Sequence, residues 1–190
     1  MSKHDFLSQV VDIPKVETKA VKEISKDKVI FIFTDGACPN NQSKNKSFVV
    51  GGWACIIKYG ETTKEFAGGE RGTTNNRMEL MAVITALEKI DENYEGSIII
   101  SSDSKYVIEG FTSWMPKWKR NNWKTTQKTD VVNKDLWERL SKASANKVIE
   151  WNWVKGHAGQ VENERCDELA RNEAIKLLST QSRKVKTFHT

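Results

Sequence analysis

Two short runs constrain the fold more than anything else in the chain: KVIFIFTDG at residues 28–36 and GSIIISSDS at residues 96–104. Each is dense in β-branched or aromatic side chains, and each reaches an aspartate. An apolar run of this length without polar alternation is a strand covered on both faces, as in a sheet flanked by helices. The first runs into an Asp-Gly turn; the second leads into a helix.

The segments between them supply the rest of an α/β fold. FVVGGWACIIK (48–58) and TTKEFAGG (62–69) read as further strands joined by short loops, so the opening is an antiparallel meander. The Gly51–Gly52 pair is a candidate β-bulge. TTNNRMELMAVITALEKI (73–90) is helical, with Met78, Met81, Ala82, Ile84 and Thr85 near one face behind a Thr-Asn cap signal. KYVIEGFTSWM (105–115) continues as a helix. KVIEWNWVKG (147–156) alternates as a strand, and a last helix runs from about Val161 to Leu178. The expected architecture is a central five-stranded mixed sheet flanked by helices. Residues 1–26 form a polar N-terminal extension, 27–180 the folded domain, and 181–190 a basic C-terminal tail.

Composition narrows the surroundings. The net charge of +5 leans towards an anionic partner. The three cysteines, Cys38, Cys55 and Cys166, lack CxxC spacing, which argues against a disulfide framework or zinc ribbon and for a reducing, cytoplasmic setting. No signal peptide is visible, and no apolar run approaches the roughly 20 residues of a membrane span. With no apolar stripe left over, a monomer is expected.

The two strand-end aspartates are the first candidate site residues. In open α/β sheets, sites form beyond the carboxyl ends of the parallel strands. If the strands of Asp35 and Asp103 are parallel neighbours, the carboxylates lie side by side and repel unless a cation sits between them. Oxygen-only ligands select hard ions such as Mg²⁺ or Mn²⁺. Glu79, one turn into the first helix, could point to the same place. Singly, Asp35 also suits a turn, Asp103 a helix N-cap and Glu79 an exposed helix surface. VKGHAGQVENERCDELARNEA (154–174) sets one histidine and a run of acids around a turn, which fits either a solvated helix start or a metal or proton-transfer site.

FTDGAC, TTNNRMELMAVITALE, SSDSKYV and WVKGHAGQVENERCDELA together resemble the type 1 ribonucleases H, in the same order and with family-like spacing, over about residues 28–178. The resemblance implies a ribonuclease H-like fold. It implies hydrolysis of the RNA strand of RNA–DNA hybrids, leaving 5′-phosphate and 3′-hydroxyl ends. It also implies a four-carboxylate metal site of Asp35, Glu79, Asp103 and Asp167, with two Mg²⁺ ions (Mn²⁺ being possible) during catalysis and His157 on a loop beside them assisting proton movement or product departure. Two divalent ions about 3.5–4 Å apart activate the water and stabilise both the transition state and the leaving oxygen.

The same resemblance assigns the hybrid duplex as partner. Asn41 and Asn75 would touch the minor groove, where the 2′-hydroxyl distinguishes RNA, and Thr74 and Asn76 would help hold a phosphate of the DNA strand. WMPKWKRNNWKTTQK (114–128) resembles the family's basic protrusion; Lys117, Lys119, Arg120 and Lys124 would grip the backbone with salt-sensitive affinity. Trp114 and Trp118 suit internal packing, and Trp123 a substrate contact. Three positions depart from the family pattern. The loop after Asp35 is longer and lacks the usual glycines. Lys105, also assigned to substrate binding, stands where relatives often carry Gln. Val161 stands where Pro is common. A hybrid-binding module without cleavage, another nuclease of the same fold and a domain from a reverse transcriptase are the competing readings. The complete carboxylate set, the TTNNRMEL segment and the polar extension respectively weigh against them.

Overall fold

The computed structural model describes residues 29–40, 49–156 and 159–186. Five strands form one sheet: β1 (Val29–Ala37), β2 (Val50–Tyr59), β3 (Thr62–Arg71), β4 (Ser97–Ser102) and β5 (Val148–Trp153). Their order is β3-β2-β1-β4-β5, with β1 to β3 antiparallel and β1, β4 and β5 parallel. This is the mixed sheet expected from the sequence. The interior strands are β2, β1 and β4, and the two apolar runs, β1 and β4, pair side by side among them.

Two details differ from the sequence reading. The Asp-Gly pair is not a turn: β1 runs on to Ala37, with Gly36 opposite Trp53. Nor do Gly51 and Gly52 form a bulge, because their pairing with β1 and β3 proceeds without a slip. Gly52 makes room instead. A β-carbon there would collide with the carbonyl of Ala170 in the last helix, α5 (Val161–Lys186). That helix lies close against the sheet through Ala170 and Ala174. It also continues eight residues past Leu178.

The pleat of β1 divides the core in two. Ile30 and Ile32 join Leu80, Val83, Ile84 and Leu87 of α1 (Asn75–Glu88), together with Ile98 and Ile100 of β4. Phe33 instead joins Ala54, Ile56, Cys166 and Ala170 beneath α5. Fully burying each large apolar side chain contributes about 1.5–3 kcal/mol, and the α1 side holds most of them.

After β4 the chain winds through α2 (Lys105–Glu109), a π-helical turn (Gly110–Trp114) and α3 (Met115–Arg120). The expected helix over 105–115 is therefore present, widened by one wider turn. A further helix, α4 (Lys134–Ala143), was not expected. It buries Leu136, Trp137 and Leu140 and is tied to α1 by Arg77–Asp135 and Arg139–Glu88 ion pairs. Among the described residues no helix is long and apolar enough to cross a membrane.

Candidate active site

The parallel pairing of β1 with β4 decides where the aspartates go. The last aligned pair is Phe33 and Ser101; two residues further along each strand stand Asp35 and Asp103. The carboxylates thus emerge side by side at the carboxyl edge of the sheet. Asp35 is buried, and its Oδ1 accepts a 2.7 Å hydrogen bond from the Gly36 amide.

Glu79 is brought in by α1. Thr74 caps that helix, its hydroxyl accepting from the Arg77 amide at 3.4 Å, and Glu79 lies one turn in. Gly36 permits the approach: a β-carbon there would collide with the backbone of Met78 and Glu79. The glycine of the Asp-Gly pair is therefore a spacer between strand and helix. Asn75 donates from Nδ2 to Glu79 Oε1 at 3.3 Å, while the buried Oε2 has no hydrogen-bond partner among the described residues. Oxygens of Asp35, Glu79 and Asp103 lie within 4.8 Å of one another.

Asp167 reaches the same cleft from α5. Its neighbour Cys166 is buried and donates its thiol to the Phe33 carbonyl at 3.4 Å, which fastens this turn of the helix to β1. A cavity of about 420 Å³ is lined by Asp35, Glu79, Asp103, Asp167, Asn75 and Arg171 among others. Arg171 was not singled out in the sequence. It pairs with Asp167, Nε to Oδ1, at 2.6 Å, and the i, i+4 spacing on a helix was the available signal.

The electrostatics are those of a cluster short of positive charge. Burial, and then the neighbouring Asp103, push the Asp35 carboxyl up to about 7. Burial raises Glu79 well above the usual range, reinforced by Asp35 and Asp103. Burial and Glu79 together push the Cys38 thiol up to about 11, so it is no nucleophile at neutral pH. Four carboxylates, one with a buried oxygen unpartnered among the described residues, fit a hard divalent cation, and the Cys38 thiol on the same lining is held protonated rather than offered as a soft ligand.

The remaining predicted residues are spread along the rim. Asn76 and Thr74 are exposed at the start of α1. The Lys105 ammonium sits 5.4 Å from the centre of the Trp153 ring, and that indole donates to the Asp103 carbonyl at 3.3 Å. Lys117, Lys119 and Arg120 are exposed on α3. Lys124 is half-buried and paired with Asp130 at 2.8 Å. Trp114 and Trp118 pack internally as expected, in edge and tilted contacts with Tyr106 and Trp137. Trp123 is half-buried against the same core, with its backbone in the left-handed region at φ 58°, where bulky residues are rare. Of the other acids on α5, Glu162 pairs with Lys58, Glu168 with Arg165, and Glu164 accepts from the Gly159 amide. Asn41 and His157 lie outside the described residues. Gly156, next to His157, packs so tightly on Asp103 that a β-carbon there would fall 2.5 Å from Oδ2.

Residues 27–175 match the family model described as RNase H. A protein named ribonuclease H from Erwinia tasmaniensis is 52% identical over 147 residues, covering 77% of this chain and 90% of that one. One from Klebsiella pneumoniae is 50% identical over 147 residues, with the same coverage. Among solved structures, LC9-RNase H1, described as a type 1 RNase H with the type 2 active-site motif, superposes with a TM-score of 0.69 at 28% identity over 77% of this chain and 72% of that one. A foamy viral protease-reverse transcriptase in complex with RNA/DNA hybrid shares the fold, with a TM-score of 0.67 at 18% identity over 78% of this chain and 20% of that one.

Proposed function

The chain belongs to the type 1 ribonuclease H family, and from that premise we propose that it hydrolyses the RNA strand of RNA–DNA hybrids at the cleft formed by Asp35, Glu79, Asp103 and Asp167. The observation that carries this is the convergence of oxygens from Asp35, Glu79 and Asp103 within 4.8 Å, with Asp167 lining the same cavity. Divalent metal use comes with the family; Mg²⁺ is the ion proposed here, with Mn²⁺ as substitute. When bound, such ions supply an activated water and neutralise the charge that develops on the phosphate and the leaving oxygen.

The protein's own groups do the rest. Asp35, Glu79, Asp103 and Asp167 would hold the divalent ions; Gly36 and Asn75 fix the orientations of Asp35 and Glu79. Water adds to phosphorus and the bond to the 3′-oxygen breaks. One product end then keeps the 5′-phosphate, and the other takes a proton as a 3′-hydroxyl. His157 is proposed to move that proton or assist product departure. Supporting this, Gly156 against Asp103 brings the chain to the site's rim one residue earlier. Asn41, Asn75 and Lys105 are assigned to the minor groove, and Thr74 and Asn76 to a DNA-strand phosphate. Lys117, Lys119, Arg120, Trp123 and Lys124 are assigned to the duplex backbone. We further propose a monomeric catalytic domain over 27–180, with 1–26, which lies outside the described residues, as a tether or short partner-binding segment, in a reducing cytoplasm that suits three free thiols.

The test is cleavage of a labelled hybrid with Mg²⁺, beside matched RNA and DNA duplexes, for the native chain and Asp35→Asn. The expected result is cutting of the hybrid's RNA strand alone, reduced by roughly a thousandfold or more in the variant with hybrid binding retained. Binding without cutting in either Mg²⁺ or Mn²⁺ would sink the enzyme reading in favour of a binding module.

A further inference from the structure

Four carboxylates line the cleft, but they are not equivalent. Asp35, Glu79 and Asp103 share a common point; Asp167 is not part of that group and is held by Arg171 at 2.6 Å. Arg171 also lines the cavity and is the one basic side chain doing so among the described residues. Its charge reaches Asp35, where it opposes the effects of burial and of Asp103. The Arg171 side chain is about half exposed, at 54%, so it can swing away without disturbing the core, while the Asp167 side chain is 21% exposed.

We propose that Arg171 is the built-in counter-ion of the site, a positioning residue that holds Asp167 until a divalent cation and a substrate phosphate arrive together. This deepens the reading above and rests on it. A cation that recruits Asp167 must take the carboxylate from Arg171 and sit near the same positive charge. Both effects weaken cation binding in the absence of nucleic acid. The displaced guanidinium then needs an anion, and a phosphate of the hybrid entering the cleft supplies one with matching fork geometry. Metal and hybrid are thereby linked through one side chain, and such a linkage is reciprocal. The arrangement keeps the full carboxylate set from closing on a metal when no hybrid is present.

The test compares the full-length chain with Arg171→Met and Arg171→Lys. Mg²⁺ and Mn²⁺ are titrated calorimetrically without nucleic acid, and KM for the hybrid is measured at saturating Mg²⁺. Arg171→Met should bind Mg²⁺ about fivefold tighter, the order expected for removing one unit charge beside a solvent-open cleft, and its KM should rise by a similar factor. Arg171→Lys, which keeps the charge, should stay close to the native chain in Mg²⁺ affinity. An Arg171→Met protein whose Mg²⁺ affinity is unchanged within about twofold, or weaker, overturns the counter-ion role while leaving a native chain that binds metal and cuts hybrid. A native chain that neither binds divalent ions nor cuts hybrid overturns the functional reading itself, and this one with it.

Discussion

Two regions of the molecule bury polar atoms and treat them in opposite ways. Behind the basic helix, Tyr106, Trp114, Trp118 and Trp137 form an aromatic knot with ring centres 5.4–5.8 Å apart. There the tyrosine hydroxyl accepts from the Trp137 indole at 3.2 Å and from Asn133 at 3.1 Å. In the acidic cleft, Glu79 keeps a buried oxygen without a partner among the described residues, and Asp35 is crowded by like charge. A satisfied buried network stabilises; a half-satisfied one costs free energy. The cleft is tolerated because the core on the α1 side is large, and its repulsion is the part of the structure that cation binding can relieve.

Breaking each region should therefore move stability in opposite directions. Trp137→Ala removes a fully buried indole and strands the Tyr106 network. It should cost about 3–5 kcal/mol, seen as a fall in Tm on the order of 10 °C. Cleavage per folded molecule should change far less. Asp35→Asn should do the reverse: cleavage cut by roughly a thousandfold or more, yet a metal-free protein at pH 8 with a Tm raised on the order of 5 °C. The amide still accepts from the Gly36 N–H but carries no charge into the cluster. Thermal melts in a chelator decide the matter. If Asp35→Asn melts below the native chain there, the cleft is not a store of repulsion.

The same contrast explains what the sequence made legible. Asp35 and Asp103 could be paired from the chain alone because both end apolar strands, and a parallel register carries strand ends to one edge. Glu79 was a weaker inference, and Asp167 came only with the resemblance, since nothing local separates it from the other acids of its helix. Gly36 looked like a turn residue because spacing between a strand and a helix leaves no trace in local propensity. Arg171 was invisible for a similar reason: an i, i+4 ion pair is ordinary on any helix surface. The unexpected helix α4 lacks a side-chain cap, starting from Asn133 in the left-handed region, and its three buried residues sit among charges. It is recognisable only once Trp137 has a knot of aromatic rings to enter.

The smallest effect is the most discriminating. Asp35 is raised from 3.8 to about 7 in the folded chain, and Glu79 is raised in the same direction. An acid whose folded value is raised stabilises fully below its unfolded value, and that contribution is lost as pH climbs through the folded value. The metal-free protein should therefore lose a few degrees of Tm between about pH 4 and pH 7. The carboxylates held low by partners, Glu65, Glu88, Asp130, Asp135 and Glu162, act with the opposite sign. Their contributions are lost as pH falls through values below about 4.5 and are already complete above pH 5. Between pH 5 and pH 8 the acidic cleft is thus the main described source of pH dependence. Mg²⁺ should raise Tm at pH 8 and hardly at pH 5, because only ionised carboxylates hold it. The aromatic knot contributes no carboxylate to the cleft, so Trp137→Ala should lower the whole curve without changing the difference that Mg²⁺ makes. An equal Mg²⁺ effect at both pH values would place the bound ion somewhere other than this cleft.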